Sequence, residues 1–217
     1  MCEVTVTKKL FPEKTYMPRN FDLSEWKQFT KDSKLFNSTM NDIWHNEHKG
    51  PDYAWLPIQL DLNILQPNNL EFSESHELFS PEDRNTDLFK HKTYEKNYIQ
   101  KAKSNDATHE YLANIFDLKY VDAPVHVQNP GNYVAPHFDL YGYFLKRCPD
   151  YFNTAKLKRF AIFLSKWEVG QAFLLGKSAV TNWKPGDVIE FPWYMVHSTM
   201  NISKSPRLYM NVVGLSK

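Results

Sequence analysis

Lys158-Arg159-Phe160-Ala161-Ile162-Phe163-Leu164-Ser165-Lys166-Trp167 is the stretch whose reading decides the fold. Its near-continuous apolar run is what a buried strand requires. The turn signal Val169-Gly170 follows it. Beyond lie three more short strand-like segments, Gln171–Leu175, Val188–Phe191 and Arg207–Gly214, with a second turn at Lys184-Pro185-Gly186-Asp187. Upstream, Val125, Val127 and Tyr133 belong to strand-like segments around a further turn signal, Asn129-Pro130-Gly131-Asn132. Many short strands punctuated by Pro and Gly predict a mainly β, double-sheet roll over residues 121–217, not a helical or parallel α/β fold.

Residues 1–120 have a different texture, and the whole chain of 217 residues suits a single domain with an N-terminal extension. Between Phe21 and Met40, Trp26, Phe29 and Leu35 fall at helical intervals after the capping residues Asp22 and Ser24. The alternation Ile58, Leu60, Leu62 within Tyr53–Leu65 predicts a strand, and Thr108–Leu118 has the pattern of a short amphipathic helix. Residues 66–87, rich in Pro, Asn, Ser and Glu, read as a surface loop and a candidate lid. Aromatic residues such as Phe11, Tyr16, Trp26, Phe29 and Trp55 are available to a core or to the roof of a pocket.

Composition removes several function classes. A formal net charge of +1 argues against nucleic-acid binding through bulk electrostatics. Residues 1–120 carry 15 Lys/Arg against 19 Asp/Glu, whereas 121–217 carry 11 against 6, so the β half is the one suited to anions. Cys2 and Cys148 are the only cysteines, which excludes a disulfide framework and a thiolate zinc site. Met1–Phe11 includes Glu3, Lys8 and Lys9 and has no sustained apolar run, so no signal peptide is expected. No segment approaches the roughly 18 apolar residues of a membrane span. A cytoplasmic protein in a reducing compartment is expected.

The chemistry-bearing residues are His137, Asp139, His197 and Arg207. His-x-Asp alone is weak, and His45-Asn46-Glu47 shows how easily a similar group arises. His137, however, follows a strand-like segment and Pro136, while His197 lies 60 residues later, past a turn and a strand. A β-roll brings such positions together across its interior. Two imidazoles and one carboxylate cover one face of an octahedral ferrous ion and leave three positions free; zinc fits the same donor types. Arg207, ten residues beyond His197, alternates with Leu208, so that Arg207, Tyr209 and Asn211 share one polar face and Leu208, Met210 and Val212 an apolar one. A guanidinium there offers a bidentate fork to a carboxylate such as that of an oxoacid.

Residues 123–145 and 158–215 resemble the iron(II)/2-oxoglutarate oxygenase superfamily, including its small phage- and bacteria-type members. The matching residues are Gln128-Asn129-Pro130-Gly131, Pro136-His137-Phe138-Asp139, Arg159–Leu164, Trp167–Gln171, Trp183–Asp187, His197, Asn201, Arg207 and Gly214. Trp183-x-x-Gly186-Asp187, His197-x-x-x-Asn201 and Arg207-Leu208 also resemble the spacing of aspartyl/asparaginyl β-hydroxylases. The resemblance implies a double-stranded β-helix of jelly-roll or cupin-like type. It implies iron(II) held by His137, Asp139 and His197, and 2-oxoglutarate as co-substrate with its distal carboxylate on Arg207. Gln128, Arg159 and Asn201 join the expected co-substrate set, the first two lining the pocket and Asn201 supporting the strand after His197. Asp139 implies hydroxylation, since related halogenases carry a small residue in its place. Dioxygen is then consumed, and succinate and carbon dioxide are formed.

Two other readings remain open. A cupin that uses no 2-oxoglutarate, a dioxygenase or an isomerase, matches Pro185-Gly186-Asp187, Pro192 and His197 but lacks its usual H-x-H pair. A non-catalytic β-roll binding module would have no iron affinity. For substrate, a small polar metabolite or amino acid ranks first, a peptide side chain second and a nucleobase third. If residues 66–87 are a lid, deleting them impairs substrate-coupled turnover and spares iron binding; unchanged coupling in a turnover assay would sink that idea.

Overall fold

A strand with one polar and one apolar face has to separate two different environments, and the fold is organised around such strands. The computed structural model describes residues 51–65, 73–75, 99–137, 139, 141, 144, 147, 148 and 156–217. In chain order the elements are β1 (Ala54–Leu56), α1 (Leu62–Leu65), β2 (Ser73–Ser75), β3 (Ile99–Ala102), α2 (Asp106–Ile115), β4 (Leu118–Asp122), β5 (Val125–Gln128) and β6 (Asn132–His137). They continue with β7 (Leu157–Phe163), β8 (Gln171–Leu175), β9 (Ser178–Val180), β10 (Val188–Glu190), β11 (His197–Asn201) and β12 (Arg207–Ser216). Among the described residues no helix is long and apolar enough to cross a membrane.

The larger antiparallel sheet has the order β1-β10-β7-β12-β5-β3-β2, with β4 pairing β12, and the smaller has the order β6-β11-β8-β9. From β5 onward the chain passes back and forth between them: β5, β7, β10 and β12 lie in the larger sheet, and β6, β8, β9 and β11 in the smaller. This winding is a double-stranded β-helix. The fold is mainly β, as the strand and turn pattern of residues 121–217 predicts.

The alternation on β12 sorts the two cores. Met210 and Val212 face outward with Phe160, Ile162, Leu164, Val125 and Val188, and Leu112, Phe116 and Leu118 cover them. The Phe116 and Phe160 rings stack at 4.2 Å. Tyr209 faces inward with Ala161, Phe163 and Ile189, against Phe173 and Leu175 of the smaller sheet. Burying each such large apolar side chain stabilises the fold by about 1.5–3 kcal/mol. The covering helix α2 starts where Asn105 accepts the Thr108 N–H at 2.8 Å, an N-cap worth about 1 kcal/mol. It ends before Asp117, whose φ of 53° leaves the helical region.

The turns form where their residues predict. Asn132 N–H reaches Asn129 O at 3.1 Å around Gly131, and Asp187 N–H reaches Lys184 O at 3.1 Å while the Asp187 carboxylate accepts the Lys184 N–H at 2.7 Å. The expected strand through Ile58, Leu60 and Leu62 is a correction: the strand stops at Leu56, before Pro57, and Leu62–Leu65 is a helical turn. Pro57 has no N–H to donate to a ladder, and the Asp61 carboxylate accepts the Asn63 N–H at 2.9 Å, capping the turn instead. Within the expected 66–87 loop, Ser73–Ser75 pairs with β3 as a strand. The rest of that segment, the Phe21–Met40 helix, His45-Asn46-Glu47 and the N-terminal aromatics before Tyr53 lie outside the described residues.

Gly170 sets the entry to β8. Its φ is +98°, and a Cβ there would stand 2.9 Å from the backbone carbon of Ile202, whose N–H is bonded to Gly170 O at 2.9 Å. Gly170→Ala is expected to cost about 1–3 kcal/mol. Thermal unfolding checks this, and an unchanged midpoint would show that the β8–β11 end tolerates the shift.

Candidate metal centre

The three donor residues meet because β6 and β11 are antiparallel neighbours. His137 is the last residue of β6 and His197 the first of β11, and the two are directly paired. Their ring centroids lie 4.2 Å apart. Asp139, just past the strand end, places Oδ1 3.5 Å from His137 Nε2 and Oδ2 3.8 Å from His197 Nε2. One donor atom from each of the three falls within 4.8 Å of the others.

Hydrogen bonding selects the form of each donor. His197 Nδ1 lies 3.0 Å from the carbonyl of Met195, which can only accept, so Nδ1 carries the proton and Nε2 presents a lone pair toward Asp139. Burial pushes the His197 pKa well below its usual value, and the charge of Arg159 adds to the effect, so the ring is neutral at pH 7. For Asp139 burial acts upward, but the Arg159 guanidinium, helped by a hydrogen bond from His137, holds the carboxyl well below its usual range. A neutral imidazole at His197 beside an ionised carboxylate at Asp139 suits a divalent ion such as Fe(II) or Zn(II). A cation already sits among them: Arg159 Nη2 pairs with Asp139 Oδ2 and stands 3.0 Å from His197 Nε2. The residues fit a metal ion.

Away from the triad, a polar cavity follows the inner face of the larger sheet. Lys101 pairs with His126, and His126 with Tyr209, so one row across β3, β5 and β12 lines it. The Tyr209 hydroxyl lies 2.8 Å from His126 Nδ1, while the buried His126 Nε2 has no hydrogen-bond partner among the described residues. Thr199 faces this row from β11, and Phe173 and Val134 supply apolar wall. Asp139 is the one carboxylate among the described residues lining the cavity, against Lys101 and Arg159.

Arg207 lies one row deeper, paired with Gln128 and off the cavity wall. It is fully buried. Nη1 donates to Ala172 O at 2.9 Å, and the guanidinium lies 4.8 Å over the Tyr209 ring, but Nε and Nη2 have no hydrogen-bond partner among the described residues. Burial pulls its pKa down to about 10. Gln128 donates through Nε2 to Thr199 O and Oγ1 at 3.2 Å each, and its Oε1 has no partner among the described residues. Asn201 stands apart from the cavity: Nδ2 donates to Gln128 O at 2.7 Å and Ser205 O at 2.9 Å, and Oδ1 accepts from Ser203. Its side chain thus closes the turn between β11 and β12.

His126 and Tyr141, which the sequence reading passes over, also belong to this site. His126 and Gln128 alternate with Val125 and Val127, a signal that their side chains share one face, but a lone histidine between valines reads as ordinary core. Tyr141 gives no sequence signal; its hydroxyl donates to Trp193 O at 2.6 Å and accepts from Arg159 Nη1 at 3.2 Å.

No family profile and no curated protein matches the sequence. Among solved structures the chain is similar to a prolyl-4-hydroxylase from Pseudomonas putida, at 14% identity over 82% of this chain and 97% of that one, with a TM-score of 0.46. It is similar to a cupin-superfamily sugar phosphate isomerase from Silicibacter pomeroyi, at 12% identity over 73% and 76% of the two chains and a TM-score of 0.39. It is also similar to a predicted oxalate decarboxylase from Thermotoga maritima, at 16% identity over 54% and 81% and a TM-score of 0.36.

The buried histidines make stability depend on pH. Burial, and then Lys101, push the His126 pKa well below its usual value. The unfolded chain therefore takes up this proton first, so the contribution is complete above about pH 6.5 and is lost as pH falls toward the folded pKa. Urea unfolding at pH 7.5 and 5.5 should show a smaller acid loss in His126→Gln than in the wild type. An identical loss in both would assign the effect elsewhere.

Proposed function

We propose that this chain is a non-haem iron(II)- and 2-oxoglutarate-dependent oxygenase that hydroxylates a C–H bond of a small polar metabolite or amino acid, or of a peptide side chain. The observation that carries the reading is Arg207. A buried guanidinium without a carboxylate partner is costly, by several kcal/mol, unless an anion completes it. Its two nitrogens without a partner among the described residues lie inside the roll on β12, on the sheet that faces the β6–β11 pair carrying the two histidines. A protein whose ligands carry no anionic group has no need of that guanidinium.

In this reading His137, Asp139 and His197 would hold the ion, beside the cavity lined by His126, Thr199 and Tyr209. Bound iron supplies dioxygen activation coupled to the oxidative decarboxylation of 2-oxoglutarate to succinate and carbon dioxide. The protein's part is placement. Arg207 pairs with the distal carboxylate of the oxoacid once Tyr209 and Phe173 make room. The Tyr209 and Thr199 hydroxyls, with His126 Nε2 and Gln128, flank the co-substrate along its length. Phe173 and Val134 keep water from the reacting end. The Met195 carbonyl keeps His197 in the tautomer that exposes Nε2. The same proposal sets the protein in the cytoplasm, where ferrous iron persists; Cys148 is a free, buried thiol. Nucleic acid is not among the expected partners.

Anaerobic addition of ferrous iron and then 2-oxoglutarate to metal-free protein is expected to give a weak visible charge-transfer band that needs both additions and is absent in His197→Ala. Iron binding without a band would favour the cupin reading, and no iron binding would leave a binding module. Arg207→Ala should weaken 2-oxoglutarate by about 30-fold or more while leaving iron affinity nearly unchanged. Wild-type co-substrate affinity in that variant would mean that the anchor lies elsewhere.

A further inference from the structure

The lone pair that a metal would take from His197 is already in use. Arg159 projects inward from β7 and is 2% exposed. Its Nη2 pairs with Asp139 Oδ2 and lies 3.0 Å from His197 Nε2. Its Nη1 donates to the Tyr141 hydroxyl at 3.2 Å, and Phe191 lies against the guanidinium at 4.8 Å. Because the His197 Nδ1 proton is engaged by Met195 O, Nε2 has a single lone pair. That lone pair accepts one N–H or binds one ion, and cannot do both. Arg159 and a metal are therefore competitors for one atom, and they share Asp139 as counter-charge.

We propose that Arg159 is an internal counter-ion of the metal-free site, which a divalent ion must displace from His197 in order to bind, and that this competition lowers the metal affinity of the triad. The inference rests on the reading of His137, Asp139 and His197 as metal ligands. Two features favour competition over simple support of Asp139. The guanidinium touches the metal-facing nitrogen of His197 as well as the carboxylate. It is also enclosed by Tyr141 and Phe191, so after displacement it stays close to the ion, where like charges repel in a poorly solvated interior. In the metal-free protein the same contact ties Asp139 and His197 to one guanidinium. Arg159 thus keeps the site organised without metal and sets a threshold for loading it.

The test is anaerobic calorimetric titration of the full-length metal-free protein with Mn2+ alone and with Fe2+ alone, in wild type, Arg159→Gln and Arg159→Lys. Arg159→Gln removes the charge and keeps an N–H donor, so it should bind either ion about 5- to 150-fold more tightly than wild type. Arg159→Lys keeps the charge and should stay near wild type. A folded Arg159→Gln with equal or weaker metal affinity overturns the proposal, since a residue that only supports Asp139 would give that result. The wild type alone supplies a second readout. Saturation with Zn2+ should shift the Arg159 guanidinium 15N resonances, and unchanged resonances overturn the proposal even if the Gln variant fails to fold. Absence of metal binding in every protein overturns this inference and the functional reading together, whereas equal binding in all three overturns this inference alone.

Discussion

The antiparallel pairing of β6 with β11 is the interaction on which the rest of the site depends. It sets His137 opposite His197, and a slip of one residue would turn one imidazole out of the roll. Both ends of the pairing are tied. At one end Met195 O holds His197 Nδ1 at 3.0 Å. At the other, Gly131 N–H reaches Asn201 O at 2.7 Å, and the Asn201 side chain bonds Gln128 O and Ser205 O. A bulge between His197 and Thr199 adjusts the strand between these ties. Asn201 therefore bears on the His137–His197 pairing at a distance, through register.

Charge inside the roll is the second constraint. Arg159 and Arg207 are both fully enclosed between the sheets, yet they are satisfied differently. Arg159 has Asp139, His197 and Tyr141, while Arg207 has one backbone carbonyl and the faces of aromatic rings. A protein interior keeps such a group only if the remaining structure is rigid enough to hold it or if a ligand completes it. The rigidity comes from the opposite side of the larger sheet. There α2 and the Phe116–Phe160 stack close an apolar layer against the outward faces of β7 and β12. The excess of basic residues in the C-terminal half is thus not only surface variation: Arg159 and Arg207 belong to the interior.

Legibility follows from the range of the information. Arg207, Tyr209 and Asn211 alternate with Leu208, Met210 and Val212, and a period of two is local, so the two faces of β12 can be read directly. Gly131, Gly170 and Gly186 mark turns for the same reason. The segment around Ile58, Leu60 and Leu62 misleads because its alternation is real, but Pro57 and the Asp61 cap convert it to a helical turn. His126 and Tyr141 are hard to read because nothing next to them in sequence states what they meet; their partners are Tyr209, 83 residues away, and Arg159, 18 residues away.

The sequence by itself determines the strand-rich second half, its turns, the inward and outward faces, and the residue types able to ligate a metal and an anion. Only the tertiary structure decides that His137 and His197 are paired neighbours, that Arg159 reaches Nε2 of His197, and that Arg207 lies behind Tyr209 with no carboxylate partner among the described residues. The physical reason is that periodicity and turn chemistry act over a few residues and are written in the local chain. Register, burial and the partners of a buried charge arise from contacts between segments tens of residues apart, and those exist only once the two sheets close on each other.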